Sequence, residues 1–269
     1  MKKAILMFVA ASILAIAGCE TVNTTNAGAV GVDRKQQMLV PSETIEQGAA
    51  QAYDTELKAA RDKGVLNTNK AQLNRVSAIA RRIVAVTPVF RADASKWDWQ
   101  FNVQKTKDMN AYCMPGGRIM VYSGLMETLD LSDAELATVI GHEIAHALRE
   151  HTRERVSRAY AQQLVVTGAA AVAGVSEGTA NIANMVAEVT FQLPFSRDQE
   201  SEADIIGLEL MARAGYDPRA AISLWNKMSN AQGGGSPPKF LSTHPAPKDR
   251  IREIEKNLPR VLPLYANRN

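Results

Sequence analysis

The stretch Gly141-His142-Glu143-Ile144-Ala145-His146 lies near the middle of the 269-residue chain and contains two of its four histidines. It follows the pattern HExxH. On a helix with 3.6 residues per turn, His142 and His146 project from one face, one turn apart, and Glu143 lies at the border of that face. Two imidazoles with a carboxylate beside them are the ligand pair and the general base of many zinc hydrolases. The stretch therefore predicts a zinc site in the middle of a helix.

The neighbouring residues predict that this helix forms. Ser132 and Glu135 have the spacing of a capping box, and Leu131 with Leu136 has the spacing of a hydrophobic staple. Apolar residues recur roughly opposite the histidines, at Leu136, Ile140, Ile144 and Leu148. One face of the helix is therefore expected to bind metal while the other packs.

The composition is that of an ordinary globular protein, with 46% hydrophobic and 22% charged residues. The length allows one sizeable core or two small ones. The formal net charge is only +3, and Lys and Arg are dispersed among acidic residues. Nucleic acid is therefore not an expected partner, since proteins that bind it concentrate positive charge on one surface.

The N-terminus has the features of a secretion signal. Met1-Lys2-Lys3 is a basic region, and the apolar run over residues 4–17 is too short to span a bilayer comfortably. The run ends in Ile16-Ala17-Gly18-Cys19, which resembles the lipobox of bacterial lipoproteins. Residues 1–18 are therefore predicted to be a lipoprotein signal peptide, and Cys19 to be the lipidated first residue of the mature chain. A plain signal peptide that ends in Cys is the alternative.

Lipidation of Cys19 has consequences for the mature protein. Cys113 would be the remaining thiol, which excludes an intramolecular disulfide. Glu20, rather than Asp, follows the lipidated position. Resemblance to lipoproteins of this kind implies the periplasmic face of the bacterial outer membrane, with the inner membrane less favoured, and membrane contact through the lipid anchor.

The mature chain is predicted to contain a tether and one catalytic domain. Residues 19–42 are rich in Thr, Asn, Gly and Ala without an apolar period, as in a flexible tether, and the domain is expected over residues 43–269. Within it, residues 44–63 and 69–86 have the apolar spacing of scaffold helices. Segment 162–175 is too short to cross a membrane and is interpreted as a packed or mobile helix, with a reversible bilayer contact as the alternative.

Two stretches predict a small β-sheet. Residues 97–103 alternate between apolar and polar types, and residues 118–122 follow a Pro115-Gly116-Gly117 turn. We expect an antiparallel sheet packed on the HExxH helix, in a fold that is α+β and mainly helical. An edge of this sheet could hold an extended peptide through main-chain hydrogen bonds, whereas a sheet that only packs is the alternative. A flexible loop over 233–238 and a last short helix over 247–257 complete the predicted elements.

A catalytic zinc ion takes three protein ligands and keeps one position open, so the motif needs a third ligand from elsewhere. The candidates are Cys113, His151, His244 and the acids of segment 196–204. His151 is expected on the wrong side of the helix if the helix continues past His146.

The acids lie on a second predicted helix. Capping-box spacing begins it and a Gly and Pro stop ends it, over residues 197–214. Glu200 and Asp204 share a face with Gly207 that is expected to be buried, whereas Glu202 lies on another face. Because a buried carboxylate needs a metal or a hydrogen-bonding partner, Glu200 is predicted as a ligand and Asp204 as the acceptor for a ligating histidine. The alternative is that these acids only favour a helix N-terminus electrostatically.

Four ordered blocks resemble the M-48 peptidase family, the HtpX-like and CAAX-prenyl-protease-like zinc metallopeptidases among the gluzincins. The blocks are Asn110-Ala111 with Pro115-Gly116-Gly117 and Ser123-Gly124-Leu125; the HExxH stretch; Ser196-Arg197 with Glu200-Ser201-Glu202-Ala203-Asp204 and Ala214-Gly215-Tyr216-Asp217-Pro218; and Ser242-Thr243-His244-Pro245 with Arg250. The resemblance implies a zincin-like domain with Glu200 as third ligand. Many members span membranes repeatedly or add helical repeats, whereas this chain is expected to resemble the small lipoprotein members, with nothing after Asn269.

The expected function is that of a zinc-dependent endopeptidase with one Zn²⁺ per chain. Zinc held by His142, His146 and Glu200 would lower the pKa of its bound water, and Glu143 would take the proton as the water attacks a peptide carbonyl. The expected substrates are unfolded or damaged envelope proteins, in periplasmic protein quality control. The alternatives are a chaperone or assembly factor that uses the same groove without turnover, and a zinc hydrolase of small amides.

His244 is expected near the zinc without being one of the three ligands. It lies between prolines after a Gly-rich loop, so a moving loop could deliver its imidazole. Its position in the family blocks implies a catalytic-site role: it either occupies the open zinc position in a latent state or donates a hydrogen bond to the oxyanion. A surface histidine that caps the last helix is the alternative.

Overall fold

Helix α4 (Asp133–Leu148) carries the HExxH stretch, and the other elements are arranged around it. The computed structural model describes residues 20–167, 179–231, 239–245 and 249–266. The other helices are α1 (Ser42–Asp62), α2 (Lys70–Val84), α3 (Ser123–Thr128), α5 (His151–Thr167), α6 (Thr179–Phe191), α7 (Arg197–Arg213), α8 (Ala220–Ala231), α9 (Lys239–Thr243) and α10 (Arg250–Ala266). The strands are β1 (Glu20–Val22), β2 (Gln36–Met38), β3 (Gln100–Gln104), β4 (Ala111–Met114) and β5 (Arg118–Tyr122). The predicted fold class, mainly helical with small sheets, is confirmed.

Several predictions concern residues outside these ranges. They include the signal peptide with Cys19, the loop over 233–238 and the part of segment 162–175 that follows Thr167. Among the described residues, no helix combines the length and apolar character needed to cross a membrane.

The two predicted capping boxes begin the two central helices. Ser132 Oγ accepts from Glu135 N over 3.3 Å and Ser132 N donates to Glu135 Oε2 over 2.8 Å. Ser196 and Gln199 make the same reciprocal pair at the start of α7. Helices α4 and α7 therefore start where local sequence specifies, which fixes the register of the side chains that follow.

Helices α4 and α7 approach each other closely where Gly141 faces Gly207. A Cβ atom on Gly207 would lie 2.8 Å from His142 N, and one on Gly141 would lie 3.0 Å from Gly207 O. Because neither glycine has a side chain, the two backbones touch, and residues on both helices reach one site. The face of α7 that carries Glu200, Asp204 and Gly207 is buried, as predicted.

The main sheet has the order β3-β5-β4 and is mixed. Strand β3 pairs in parallel with β5, and β4 pairs antiparallel with β5 through the predicted Pro-Gly-Gly turn. The prediction that 97–103 and 118–122 pair antiparallel was wrong, because β4 lies between them in the chain and forms the hairpin. All four residues of β4 are buried. A strand that is buried on both faces shows no alternation, so its sequence gives no period-two signal.

The sheet separates two apolar clusters. Ala111, Cys113, Ile119 and Val121 face the larger cluster with α2, α4 and α7. Tyr112, Met114, Met120 and Tyr122 face a smaller cluster with α1 and α6. The sheet therefore holds β4 directly beside the HExxH helix.

Residues 20–40, which we call the N-terminal arm, correct a second prediction. A flexible tether was expected over 19–42, but β1 and β2 pair antiparallel, and Val30, Val32, Met38 and Val40 are buried. Arg34 makes ion pairs with Glu154 and Glu202, which are 120 and 168 positions away in sequence. The arm has no helical period because long-range contacts, rather than local pattern, order it.

Helix α10 is longer than the predicted segment 247–257. It continues to Ala266 with Pro259 and Pro263 inside it. Each proline removes one helical hydrogen bond, to the carbonyl four residues earlier. Those acceptors belong to Glu255 and Pro259, which are exposed, so water can replace the lost donors. Ile254, Asn257 and Val261 bury the opposite side.

Candidate active site

Helices α4 and α7 bring the three predicted ligands together. The Nε2 atoms of His142 and His146 are 3.0 Å apart. Glu200 Oε1 lies 3.3 Å from His146 Nε2, and Glu200 Oε2 lies 3.7 Å from His142 Nε2. All three side chains are buried. The ligand atoms therefore converge on one point between the two helices.

His244 lies in the same cluster. Its Nδ1 atom is 2.9 Å from Glu200 Oε1 and 3.2 Å from His142 Nε2, and its Nε2 atom is 3.5 Å from Glu143 Oε1. The ring is stacked between Phe195 and Phe240, with centroid distances of 5.1 and 4.4 Å. Only 2% of the residue is exposed. The alternative of a surface histidine is therefore wrong.

The cluster fits a metal ion. One ligand atom from each of His142, His146, Glu200 and His244 lies within 4.8 Å of the others. Glu143 Oε1 and Glu200 Oε2 are buried and accept no hydrogen bond. Arg250 Nη1 lies 2.9 Å from Glu200 Oε2 and forms an ion pair with it. Buried carboxylate oxygens without donors are rare, and imidazole nitrogen with carboxylate oxygen is a donor set that suits zinc.

The ionisation of the cluster agrees with that fit. Burial lowers the pKa of His142 and of His146 well below the ordinary value, so both imidazoles are neutral and can donate a lone pair. Burial alone would raise the pKa of Glu200, but contacts with His244, His146 and His142 outweigh it and hold the pKa well below its ordinary value.

The pKa of Glu143 is shifted in the opposite direction from that of Glu200. Burial raises its pKa to about 7, although the charge of His244 acts to lower it. A carboxylate whose pKa lies near neutrality is suited to accept and return a proton at physiological pH.

Asp204 lies beside His142. Asp204 Oδ1 is 2.9 Å from His142 Nδ1, which leaves Nε2 directed at the cluster. Arg250 donates to both oxygens of Asp204, over 2.7 Å from Nη2 to Oδ1, and its guanidinium lies 3.6 Å from the centre of the Trp225 ring. The predicted acceptor for a ligating histidine therefore lies where that role requires.

Cys113, one of the candidate ligands, is outside the cluster. It lies on β4, where its Sγ contacts Met114 O at 3.7 Å, and burial raises its pKa well above the ordinary value. Its main-chain N–H instead interacts with the Glu143 carboxylate.

The outer edge of β4 faces the site. Tyr122 N donates to Asn110 O over 3.0 Å, and Tyr112 is paired with Met120. Hydrogen-bonded pairs alternate in an antiparallel ladder, so the main-chain groups of Ala111 and Cys113 point away from β5. The contact between Cys113 and Glu143 shows that this edge lies beside the HExxH helix.

His151 is a neighbour of the site that sequence reasoning set aside. Helix α4 ends at Leu148, and Glu150 has a φ of 50°, so the chain turns before α5. This turn brings His151 Nδ1 to 2.8 Å from His146 Nδ1. The expectation that His151 lies on the wrong side held only for a continuous helix. The local sequence does not indicate this turn, because the Glu150 carboxylate forms ion pairs with the distant Arg91 and with Arg153.

The second face of α7, which carries Glu202, is buried as well. Glu202 and Glu209 are both buried, and their charges are matched by Arg34, Arg149 and Arg213. Glu202 lies outside the cluster, so Glu200 remains the carboxylate at the convergence point.

The mainly helical fold, the HExxH helix and the carboxylate from a second helix define the class of zincin-like metal hydrolases. The sequence profile of peptidase family M48 matches residues 70–258, and the chain belongs to this family. Membership confirms the predicted resemblance to this family of metallopeptidases.

Relatives of this chain include three named proteases. The chain is 37% identical to the mitochondrial metalloendopeptidase OMA1 of Schizosaccharomyces pombe over 187 residues, which are 69% of this chain and 53% of that protein. It is 30% identical to the putative beta-barrel assembly-enhancing protease of Vibrio cholerae over 197 residues, 70% of this chain and 40% of that protein. It is 25% identical to the metalloprotease YcaL of Escherichia coli over 257 residues, 94% and 96% of the two chains. The chain thus spans about half the length, or less, of the first two relatives.

Proposed function

We propose that the protein is a zinc-dependent endopeptidase with one zinc site per chain, formed by His142, His146 and Glu200. The observation that carries the proposal is the convergence of these three buried ligands beside Glu143, whose Oε1 atom accepts no hydrogen bond from the protein. A zinc ion held there would polarise the scissile carbonyl and lower the pKa of the attacking water.

The remaining steps belong to the protein's own side chains. Glu143 takes a proton from the attacking water and returns it to the leaving amine, for which its pKa of about 7 is suited. Asp204 accepts from His142 Nδ1 and keeps Nε2 directed at the ligand cluster. Arg250 neutralises the buried charge of Asp204.

The substrate is proposed to be an extended polypeptide that pairs with the outer edge of β4. The main-chain groups of Ala111 and Cys113 are directed to this edge. Main-chain pairing gives affinity with little demand on side chains, which favours unfolded or damaged proteins over a defined sequence. The name of the Vibrio cholerae relative supports a setting in the bacterial envelope, and we propose a role in protein quality control there.

Membrane attachment is proposed to occur through lipid on Cys19. The domain would then lie at the periplasmic face of the outer membrane, where its protein substrates would also be found. Support comes from the lipobox-like sequence and from similarity along nearly the whole chain to the bacterial metalloprotease YcaL.

His244 is proposed to hold the site in a latent state. Its Nδ1 atom lies within 3.2 Å of both Glu200 Oε1 and His142 Nε2, so the imidazole could serve as a fourth ligand. Neutral imidazole is a good zinc ligand, and burial of the whole cluster agrees with a closed state. The competing role is that of a hydrogen-bond donor to the oxyanion.

The test is cleavage of reduced casein by full-length protein that is purified in detergent and loaded with zinc. Wild type and His244→Ala are compared with the same proteins carrying Glu143→Gln, after zinc content has been measured in each. Fragments are expected only where Glu143 is present. Equal fragment yields with and without Glu143 would contradict the proposal, and suppression of casein aggregation by all four proteins would then support a chaperone.

A further inference from the structure

The second ligating histidine is connected to a carboxylate through another imidazole. His146 Nε2 faces the ligand cluster, and its other nitrogen, Nδ1, lies 2.8 Å from His151 Nδ1. His151 Nε2 in turn lies 3.0 Å from Glu202 Oε2. The three side chains are buried, so water does not compete for these contacts.

Only one arrangement of protons satisfies this chain while His146 binds a metal. His146 must keep Nε2 free of hydrogen, so its Nδ1 carries the proton and donates. His151 Nδ1 must then be the acceptor, which places the His151 proton on Nε2. That proton is donated to Glu202, whose ionised carboxylate can act only as an acceptor. Each residue thus fixes the tautomer of the next.

The surroundings keep Glu202 ionised. Arg149 Nε donates to Glu202 Oε2 over 2.9 Å and is fully buried, and Arg34 contacts both carboxylate oxygens. A protonated Glu202, which would leave His151 free to reverse its tautomer, is therefore disfavoured.

We propose that His151 and Glu202 are positioning residues that fix the tautomer and ring orientation of His146 for metal binding. The inference rests on the zinc site proposed above. It assigns separate tasks to three acids at alternate positions of α7: Glu200 binds the metal, Asp204 orients His142 directly, and Glu202 orients His146 through His151. Asp204 would fix the orientation of His142 by direct contact, and Glu202 would fix that of His146 through His151.

The first experiment measures zinc affinity by chelator competition in wild type, His151→Met and His151→Gln. Met fills similar space but offers His146 no effective acceptor, whereas Gln offers a carbonyl to His146 and an N–H to Glu202. We expect His151→Met to weaken zinc binding by about 10–100-fold, the usual effect of losing a partner of a metal ligand, and His151→Gln to recover most of it. The visible spectrum of the cobalt-substituted protein should change in the same order.

A matched pair of acid variants separates this role from a structural one. Glu202→Gln and Glu209→Gln make the same chemical change at buried, ion-paired positions of α7, but Glu209 contacts Arg213 and the backbone of Val30 rather than a histidine. We expect about tenfold weaker zinc binding for Glu202→Gln and unchanged affinity for Glu209→Gln.

The outcomes distinguish the two proposals. Wild type that does not bind one zinc ion would overturn the zinc site itself. Wild type that binds zinc, with equal affinity in folded His151→Met or with equal losses in both acid variants, would overturn only the positioning role. If His151→Met does not fold, the acid pair alone decides.

Discussion

Glu143 and Glu200 are two carboxylates in one buried site whose environments push their pKa values apart. Glu200 is surrounded by imidazoles that favour its charge, whereas Glu143 has few partners to offset its burial. Such divergence separates a permanent anion from a group that exchanges protons. It agrees with a ligand role for Glu200 and a base role for Glu143.

The raised pKa of Glu143 predicts a pH-dependent stability of the metal-free protein. Its folded pKa of about 7 exceeds its ordinary value of 4.5, so the folded state binds the proton more tightly and loses stability as pH rises through this window. We expect Glu143→Gln to be more stable than wild type by up to about 3 kcal/mol at pH 8 and equally stable near pH 4. Urea denaturation at both pH values measures this. A constant difference between the two proteins would contradict the assignment.

Replacement of His244 should change the rate of peptide cleavage, and the direction of the change distinguishes its two possible roles. If the imidazole blocks the open metal position, His244→Ala should raise the rate of peptide cleavage; if it donates to the oxyanion, kcat should fall by about 10²–10³. The distances to Glu200 and His142 favour the first result. Steady-state kinetics on one peptide at saturating zinc measures the sign. Unchanged cleavage with unchanged zinc affinity would exclude both roles.

At the scale of secondary-structure elements, the contact between α4 and α7 predicts the effect of adding one methyl group. Gly207→Ala would place a Cβ atom 2.8 Å from His142 N, which is main chain and cannot turn aside. We expect the helices to separate, with a loss of about 1–3 kcal/mol in unfolding free energy and weaker zinc binding, because Glu200 lies on the displaced helix. Urea denaturation and zinc titration test this. Unchanged zinc affinity in the variant would show that the approach of the helices does not set the site.

Elements that local sequence specifies were predictable. Capping boxes gave the starts of α4 and α7, and helical spacing then put His142, His146, Glu200 and Asp204 on the faces where they lie. Strand β4 was not predictable, because burial on both faces removes the alternation that marks a strand. The position of His151 was predicted wrongly because one residue, Glu150, leaves the helical conformation, and its carboxylate pairs with the distant Arg91.

At the scale of the whole molecule, the N-terminal arm could not be predicted, because the helix partners of Arg34 and Gln36 lie more than 100 positions away. Arg34 inserts between Glu154 and Glu202 on two different helices, and Gln36 donates to Glu154 and to the Arg149 carbonyl. No pattern within residues 20–40 indicates these contacts. The arm is therefore part of the folded domain, and the predicted boundary at residue 43 does not mark where the folded structure begins.

The contacts of the N-terminal arm predict that replacing Arg34 lowers the free energy of unfolding. Arg34→Gln removes the cation that Glu154 and Glu202 share, although Arg149 and Arg158 still contact them. We expect a loss of about 1.5–3 kcal/mol in unfolding free energy, the usual contribution of hydrogen bonds to charged groups. Arg219→Gln, which breaks an exposed pair with Asp217, is the control and should change nothing measurable. Equal stability of the two variants in urea would show that the arm is only loosely held.

The packed arm also determines how far the active site can travel from a bilayer. A flexible linker of about 20 residues would allow an anchored domain to move over a distance on the order of 25 Å. In this protein, however, the first strand begins at Glu20, directly after the proposed lipid on Cys19. The distance that the active site can move from the bilayer is then very small. The proposed protease would reach only substrates that lie against the membrane. A Gly-Ser insertion between Cys19 and Glu20 should extend cleavage to substrates displayed far above a vesicle surface. The same distance dependence with and without the insertion would contradict this geometry.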